Sequence, residues 1–241
     1  MTELSIVVLN RLPNDPMSKV QSSLPPMENL ELIYVTPIVT PIQTDRVNVV
    51  RVNSNTLRIE YPSAPGGIET DRMLGAVHAS GAHILFMDTH RQLLPYEITN
   101  MHTPLKNGAS IVLRSKFPRD PEMSDTVALA STALNLILDR PELGAASLTR
   151  FPHGINRDVF HTVPREELWN PPRFLAKCVL NRLRVETFYR EEDSGPFWDE
   201  STLSHILADH LEALREITEQ KGPRAGYTDM QRRRNAKVGF A

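Results

Sequence analysis

The 241-residue chain has one cysteine, Cys178, so it can form neither a disulfide framework nor a cysteine-based zinc site. A lone cysteine of this kind reads as a small buried hydrophobe in a reducing compartment. No apolar run approaches the roughly 20 residues that a membrane span needs, and Met1-Thr2-Glu3 lacks the basic start of a signal peptide, so the expected location is the cytoplasm. The formal charge of -2 excludes a global field for nucleic acid or anionic membranes. Glycine is scarce, 11 residues against 19 prolines, which implies fixed turns and ordered loops.

Hydrophobic patterning supplies the frame. Residues 4–9, 30–35 and 47–52 are short apolar or β-branched runs that read as strands, and residues 55–60 alternate like a half-exposed edge strand. After Pro65-Gly66-Gly67, residues 69–80 have helical spacing and stop at Gly81, as a helix with a glycine C-cap does. Residues 82–87 form a buried strand that delivers Asp88-Thr89-His90 to its C-terminal end, where open α/β sheets collect ligands. A helix over 95–105, a strand over 109–113 and a helix over 123–138 follow. This alternation predicts a doubly wound, mainly parallel sheet.

From Phe151 to Tyr189 the pattern is irregular, broken by Pro164, Pro171 and Pro172, and reads as site-building loops around one helix near 174–183. A last helix over 202–218 carries Leu203, Ile206, Leu207, Leu211, Leu214 and Ile217 on one face, to pack on the domain or on a second subunit. The expected organisation is one domain over 1–221. Residues 222–241, with Arg232-Arg233-Arg234 and Lys237, read as a flexible basic tail.

Arg72, Gly75, Ala79 and Gly81, followed by Ile84-Leu85-Phe86-Met87-Asp88-Thr89-His90, resemble the heart of family 2 glycosyltransferases. There a helix written roughly A-R-N-x-G-x-x-x-A-x-G precedes a buried strand ending in Asp-x-Asp. The first strand with its following Asn10 is similar too. Pro152-His153-Gly154-Ile155-Asn156-Arg157-Asp158-Val159-Phe160 resembles the family's acceptor-side loop, and Glu166-Glu167-Leu168-Trp169 its sequel. The resemblance covers about residues 4 to 185 and implies a GT-A fold of Rossmann-like topology. It further implies transfer of a sugar, with inversion, from a nucleoside diphosphate to a hydroxyl acceptor.

In that light the donor side is Leu9, Asn10, Thr36, Arg72, Asp88, Thr89 and His90, and the acceptor side His153, Gly154, Arg157 and Trp169. A leaving diphosphate concentrates negative charge, which a divalent ion, an arginine or both stabilise. Asp88 holds the ion or the ribose, with His90 and His153 as further metal candidates. Arg72 pairs with the diphosphate or orients Asp88, its alternative being an exposed helix charge. His90 replaces the second acid of Asp-x-Asp, which favours Mn²⁺ over Mg²⁺; it reads equally as a plain hydrogen-bonding histidine.

Two departures qualify the match. Val35-Thr36-Pro37 stands where the family has V-D-D, so the uracil-reading carboxylate is missing. Asn170-Pro171-Pro172-Arg173 stands where a late E-D pair supplies the general base, which leaves Asp158, Glu167 and Asp193 as candidates nearby in sequence. The alternatives are a degenerate GT-A domain that binds a nucleotide sugar or a partner, and a transferase that reaches a modified nucleic-acid base through the basic tail. A sugar nucleotidyltransferase ranks behind both, because Leu9-Asn10-Arg11-Leu12-Pro13 has no glycine to cradle phosphate.

Overall fold

The computed structural model describes residues 2–10, 24, 29–38, 47–62, 68–89, 94–116, 125–190, 200–222 and 224–226. Among them lie eight strands: β1 (Leu4–Leu9), β2 (Leu30–Ile38), β3 (Asn48–Asn53), β4 (Thr56–Pro62), β5 (His83–Asp88), β6 (Ile111–Lys116), β7 (His153–Asn156) and β8 (Val185–Arg190). Five α-helices join them: α1 (Ile68–His78), α2 (Pro95–Lys106), α3 (Thr126–Ile137), α4 (Pro171–Leu180) and α5 (Glu200–Lys221). The strands form one sheet in the order β3-β4-β2-β1-β5-β7-β6-β8. All pairings are parallel except those of β3 with β4 and of β7 with β5 and β6. This is the mainly parallel sheet with flanking helices that the alternation of elements predicts.

The sheet is buried on both faces, which is why its central strands are continuous apolar runs rather than alternating ones. Val7, Leu9, Ile33, Val35, Ile84 and Phe86 point into one core with α1 and α4. Leu4, Ile6, Val8, Tyr34, Leu85 and Met87 point into the other, under α2. Two glycines let backbone come close. A Cβ on Gly75 of α1 would sit 2.2 Å from Cγ1 of Val7, and one on Gly81 would sit 2.6 Å from the backbone nitrogen of Ser5.

The structure corrects several local expectations. Gly81 is not a C-cap in the left-handed region; it is needed for that close approach to β1. β4 is interior, with its alternation intact, and the edge belongs to β3, whose residues are exposed along its whole length. The segment read as loops after Phe151 contains strands β7 and β8. Pro171 and Pro172 start α4 rather than interrupt it, because the first turn has no use for their missing N–H groups. β2 continues through Thr36-Pro37-Ile38 alongside Glu60, Tyr61 and Pro62.

Helix ends are capped by side chains where the sequence supplies them. Asp125 accepts from the Ala128 N–H at the start of α3, and Asn170 from the Arg173 N–H at the start of α4. Cys178 is fully buried and burial pushes its thiol pKa up, as a small hydrophobe requires. No helix among the described residues is long and apolar enough to cross a membrane. His90, Asp193 and the arginine run at 232–234 lie outside the described residues.

Candidate functional site at the C-terminal edge of the sheet

The parallel strands β1 and β5 end together, Leu9 lying opposite both Val35 and Asp88, while β2 between β1 and β4 runs three residues further. The chain leaves this edge through Asn10, whose N–H donates to the Val35 carbonyl at 2.9 Å, and through Thr89, whose N–H donates to the Leu9 carbonyl at 3.2 Å. Leu9 itself is wholly buried, so it offers the edge only backbone. Asn10 and Thr89 thus stand side by side. Asn10 Oδ1 and Thr89 Oγ1 are both buried with no hydrogen-bond partner among the described residues. Buried polar atoms are seldom left so, and each such atom calls for an explanation. One residue before Thr89, the half-buried Asp88 has neither an ion pair nor a hydrogen bond to its carboxylate among the described residues.

A stacked column lies beside Asp88. His153, first residue of β7, pairs with Phe86, so it is diagonal to Asp88 at a spacing of roughly 7–8 Å between such neighbours. Its ring stacks between Phe86 (centroids 5.1 Å) and Phe151 (5.2 Å). The Arg72 guanidinium caps the column, 4.4 Å above the Phe151 ring. Nδ1 of His153 lies 2.9 Å from the Arg150 carbonyl, which assigns the proton to Nδ1, and leaves Nε2 with no partner among the described residues. Burial and then the charge of Arg72 push the His153 pKa down to about 3, so the ring is neutral and Nε2 carries a lone pair.

Arg72 is 1% exposed, and its Nη2 donates to the Thr149 carbonyl at 3.1 Å. The exposed-charge alternative for it is therefore overturned. One residue before it, buried Asp71 accepts a hydrogen bond from the Tyr61 hydroxyl at the end of β4. Arg150 pairs with Asp125 at the start of α3, and Arg114, 5% exposed, lies just past the β6–β7 ladder at the same edge. Sequence reasoning did not find Tyr61, Asp71, Arg114, Thr149 or Arg150. Tyr61 and Arg114 lie toward the ends of strands that run to this edge, whereas Asp71 lies inside α1 and Thr149 and Arg150 precede β7.

Other expected members are placed elsewhere. β7 is antiparallel, so it carries the chain away from Asp88 to the opposite edge. There the Arg157 N–H donates to the Ala82 carbonyl and its guanidinium to the Ser80 carbonyl, each at 2.9 Å. Arg157 and the exposed Asp158 therefore do not join Asp88. Gly154 lies inside the sheet, where a Cβ would meet Leu85 at 2.8 Å and Leu105 at 2.9 Å; it is a packing glycine rather than part of an acceptor loop. Glu167 is held by Lys177 at 2.8 Å and Arg173 at 3.4 Å, an ion network that includes Glu216 of α5. Asn170, where a base is expected, is fully buried; besides capping α4 it donates to Glu212 of α5 at 2.9 Å. Trp169 is 45% exposed just before α4, whose far end leads into the start of β8 at the opposite edge, so it begins toward the Asp88 side. Thr36 is half-buried within β2 rather than at its end.

No family model matches the sequence, and no curated protein matches it. The fold has well-defined relatives among solved structures. Glucosyl-3-phosphoglycerate synthase from Mycobacterium tuberculosis, in complex with Mn²⁺, uridine diphosphate and phosphoglyceric acid, superposes with a TM-score of 0.63 at 16% identity over 95% of this chain and 80% of that one. Its complex with uridine diphosphate gives 0.61 at 18%, covering 95% and 82%. Mannosyl-3-phosphoglycerate synthase from Rubrobacter xylanophilus gives 0.59 at 13%, covering 99% and 79%. The chain has the GT-A fold of nucleotide-sugar glycosyltransferases.

Proposed function

We propose that the protein transfers a sugar from a nucleoside diphosphate to a hydroxyl acceptor at the Asp88 edge of the sheet. The observation that carries this is the coincidence, on a GT-A sheet, of a carboxylate and two buried oxygen atoms, at the ends of the adjacent strands β1 and β5, that have no partners among the described residues. Ribose hydroxyls and a diphosphate-bound cation are the groups that such oxygens recognise. The M. tuberculosis synthase was crystallised with Mn²⁺ and uridine diphosphate, in keeping with that donor class.

The residues fit a divalent cation. Asp88 supplies a carboxylate oxygen, Asn10 and Thr89 supply neutral oxygens, and the neutral imidazole of His153 lies diagonal to Asp88. The described residues contain no group of three or more histidine, cysteine, aspartate or glutamate side chains that could hold a metal by itself, so a cation here would need oxygen ligands from the diphosphate as well. A carboxylate with an imidazole nearby favours Mn²⁺ over Mg²⁺. When bound, the cation offsets the charge that develops on the leaving diphosphate. Arg72, fixed by Thr149 and Phe151, adds its positive field from the side of α1.

The inverting course implied by the resemblance requires a carboxylate near the acceptor hydroxyl. Asn170 is an amide, and its engagement with Glu212 favours a second reading: a GT-A domain that binds a nucleotide sugar without transferring it. One experiment separates the two. UDP-, GDP-, CDP- and dTDP-sugars are screened by thermal shift with and without Mn²⁺ or Mg²⁺, on wild type and Asp88→Ala, and each stabilising donor is then followed for release of free nucleoside diphosphate. Shift with release supports transfer, and the product's anomeric configuration gives its course. Shift without release supports the binding domain, and no shift with any donor refutes both.

A further inference from the structure

Helices α3, α4 and α5 all end at one place, at the edge of the sheet where β6 and β8 begin and away from Asp88. There the residues after α3, the turn from α4 to Val185 of β8, and Lys221, the last residue of α5, line a half-open groove of about 720 Å³. Sites that hold small organic molecules are of this size. Its floor is aliphatic, with Val179, Leu180 and Leu183 half-buried. Its rim carries four cations, Arg140, Arg182, Arg184 and Lys221, against one acid, Asp139.

Basic residues suit helix C-termini, where carbonyls point outward, and two of the four serve in that way. Arg140 pairs with Glu142 and donates to the Val185 carbonyl at 3.0 Å. Arg184 pairs with Glu186 at 2.5 Å and donates to the Asn107 carbonyl at 3.0 Å. The exposed side chains of Arg182, Lys221 and Asp139 have no hydrogen bond or ion pair among the described residues. Two of these three stand where glycine is the usual residue. α3 and α4 close alike: the Asp139 and Arg140 N–H groups donate to the Leu136 and Asn135 carbonyls, and those of Arg182 and Leu183 to the Val179 and Cys178 carbonyls. The first residue of each return takes a left-handed φ, 64° at Asp139 and 60° at Arg182, which a Cβ makes costly and glycine does not. The chain thus holds a charged side chain in each strained position, on one groove, where neither caps nor packs.

We propose that this groove binds an organic phosphate: the phosphoryl oxygens meet Arg182 and Lys221, a sugar or nucleoside skeleton lies on the aliphatic floor, and a ligand hydroxyl donates to Asp139. Asp139 repels a bare anion and rewards a ligand that brings a donor with its charge. The floor adds affinity only for a ligand with carbon to cover it. The site lies at the opposite edge of the sheet from Asp88 and does not depend on the transfer reaction.

The test is calorimetric titration of the full chain with glucose-6-phosphate, adenosine monophosphate and inorganic phosphate. One of the two organic phosphates should bind at least about tenfold more tightly than inorganic phosphate, and which one binds tells a sugar from a nucleoside skeleton. Arg182→Gly and Lys221→Gln should each weaken that binding at least about tenfold. Arg182→Gly puts glycine where the left-handed φ favours it, so this variant should melt no lower than wild type, which separates lost binding from lost fold. Asp88→Ala should leave the binding as in wild type. No binding of either organic phosphate overturns the proposal. So does equal affinity for inorganic phosphate, binding that survives either substitution in the groove, or binding lost in Asp88→Ala, which would put the ligand at the other edge.

Discussion

The two edges of the sheet treat their polar groups in opposite ways. At the edge where β1 and β5 begin, every group named has a protein partner. Ser5 Oγ donates to Glu31 at 2.6 Å and accepts from the Gly81 N–H, while Glu31 also accepts from the Ser80 N–H. His83 and His102 share a hydrogen bond of 3.1 Å, and Lys106 pairs with Glu3 at 2.7 Å. At the edge where the same strands end, Asn10 Oδ1, Thr89 Oγ1 and His153 Nε2 lack partners among the described residues. One fold thus has a closed end and an open end. Unmet polarity costs stability, and the three such atoms at this edge lie beside Asp88, where a ligand could satisfy them.

The largest effects should be opposite in kind at the two ends. Asp88→Ala, at the open end, should lower turnover or donor affinity by at least about 100-fold, or about 2.7 kcal/mol. The urea midpoint should stay close to wild type, because no described group depends on that carboxylate. Glu31→Ala, at the closed end, should do the reverse. It strips the acceptor from the buried Ser5 hydroxyl and from the Ser80 N–H, costing about 2 kcal/mol of stability and leaving donor affinity unchanged in the folded protein. Parallel urea melts and nucleotide titrations check both; a variant that moved both readouts equally would erase the distinction between the ends.

The open end was legible in part. An apolar run ending in Asp88 fixes both the buried strand and the exit point of its carboxylate, and the fold class follows from the alternation of runs. Strand direction is not written in such runs. β7 has four residues, His153-Gly154-Ile155-Asn156, too few to show a period, and its reversal sends Arg157 and Asp158 to the far edge. Nor does a helix pattern show that Arg72 is buried, since the carbonyl it meets belongs to Thr149, 77 residues on. Long-range contacts of this kind depend on topology, which composition and periodicity do not record.

A smaller effect sharpens the contrast through pH. The folded pKa of His153, about 3, lies below its ordinary value of 6.5, so the unfolded chain binds a proton that the folded chain refuses. Its contribution to stability is complete above about pH 6.5 and is lost as pH falls toward 3, at about 1.4 kcal/mol per unit, or about 2 kcal/mol at pH 5. His83, His102 and His210, all lowered first by burial, act with the same sign. His153→Phe preserves the stack between Phe86 and Phe151 but gives up the bond to the Arg150 carbonyl. It should melt lower at neutral pH and show a flatter acid slope, measured as melting temperature between pH 7 and 5. An unchanged slope would show that the ring titrates normally.

The smallest effect discriminates best, because it should carry the unusual sign. Thr89 Oγ1 is buried and without a partner among the described residues, so Thr89→Val removes a desolvated hydroxyl and puts a methyl of the same shape in its place. Elsewhere in a folded chain this change breaks a hydrogen bond and destabilises. Here it breaks none, and the variant should be more stable than wild type by up to about 1 kcal/mol. If the hydroxyl is kept for a ligand, the same variant should bind the nucleotide sugar more weakly, so the gain in melting temperature without ligand should shrink or reverse as donor is added. A variant destabilised without ligand would mean that Thr89 already has its partner within the protein, and the open end would then be narrower by one group.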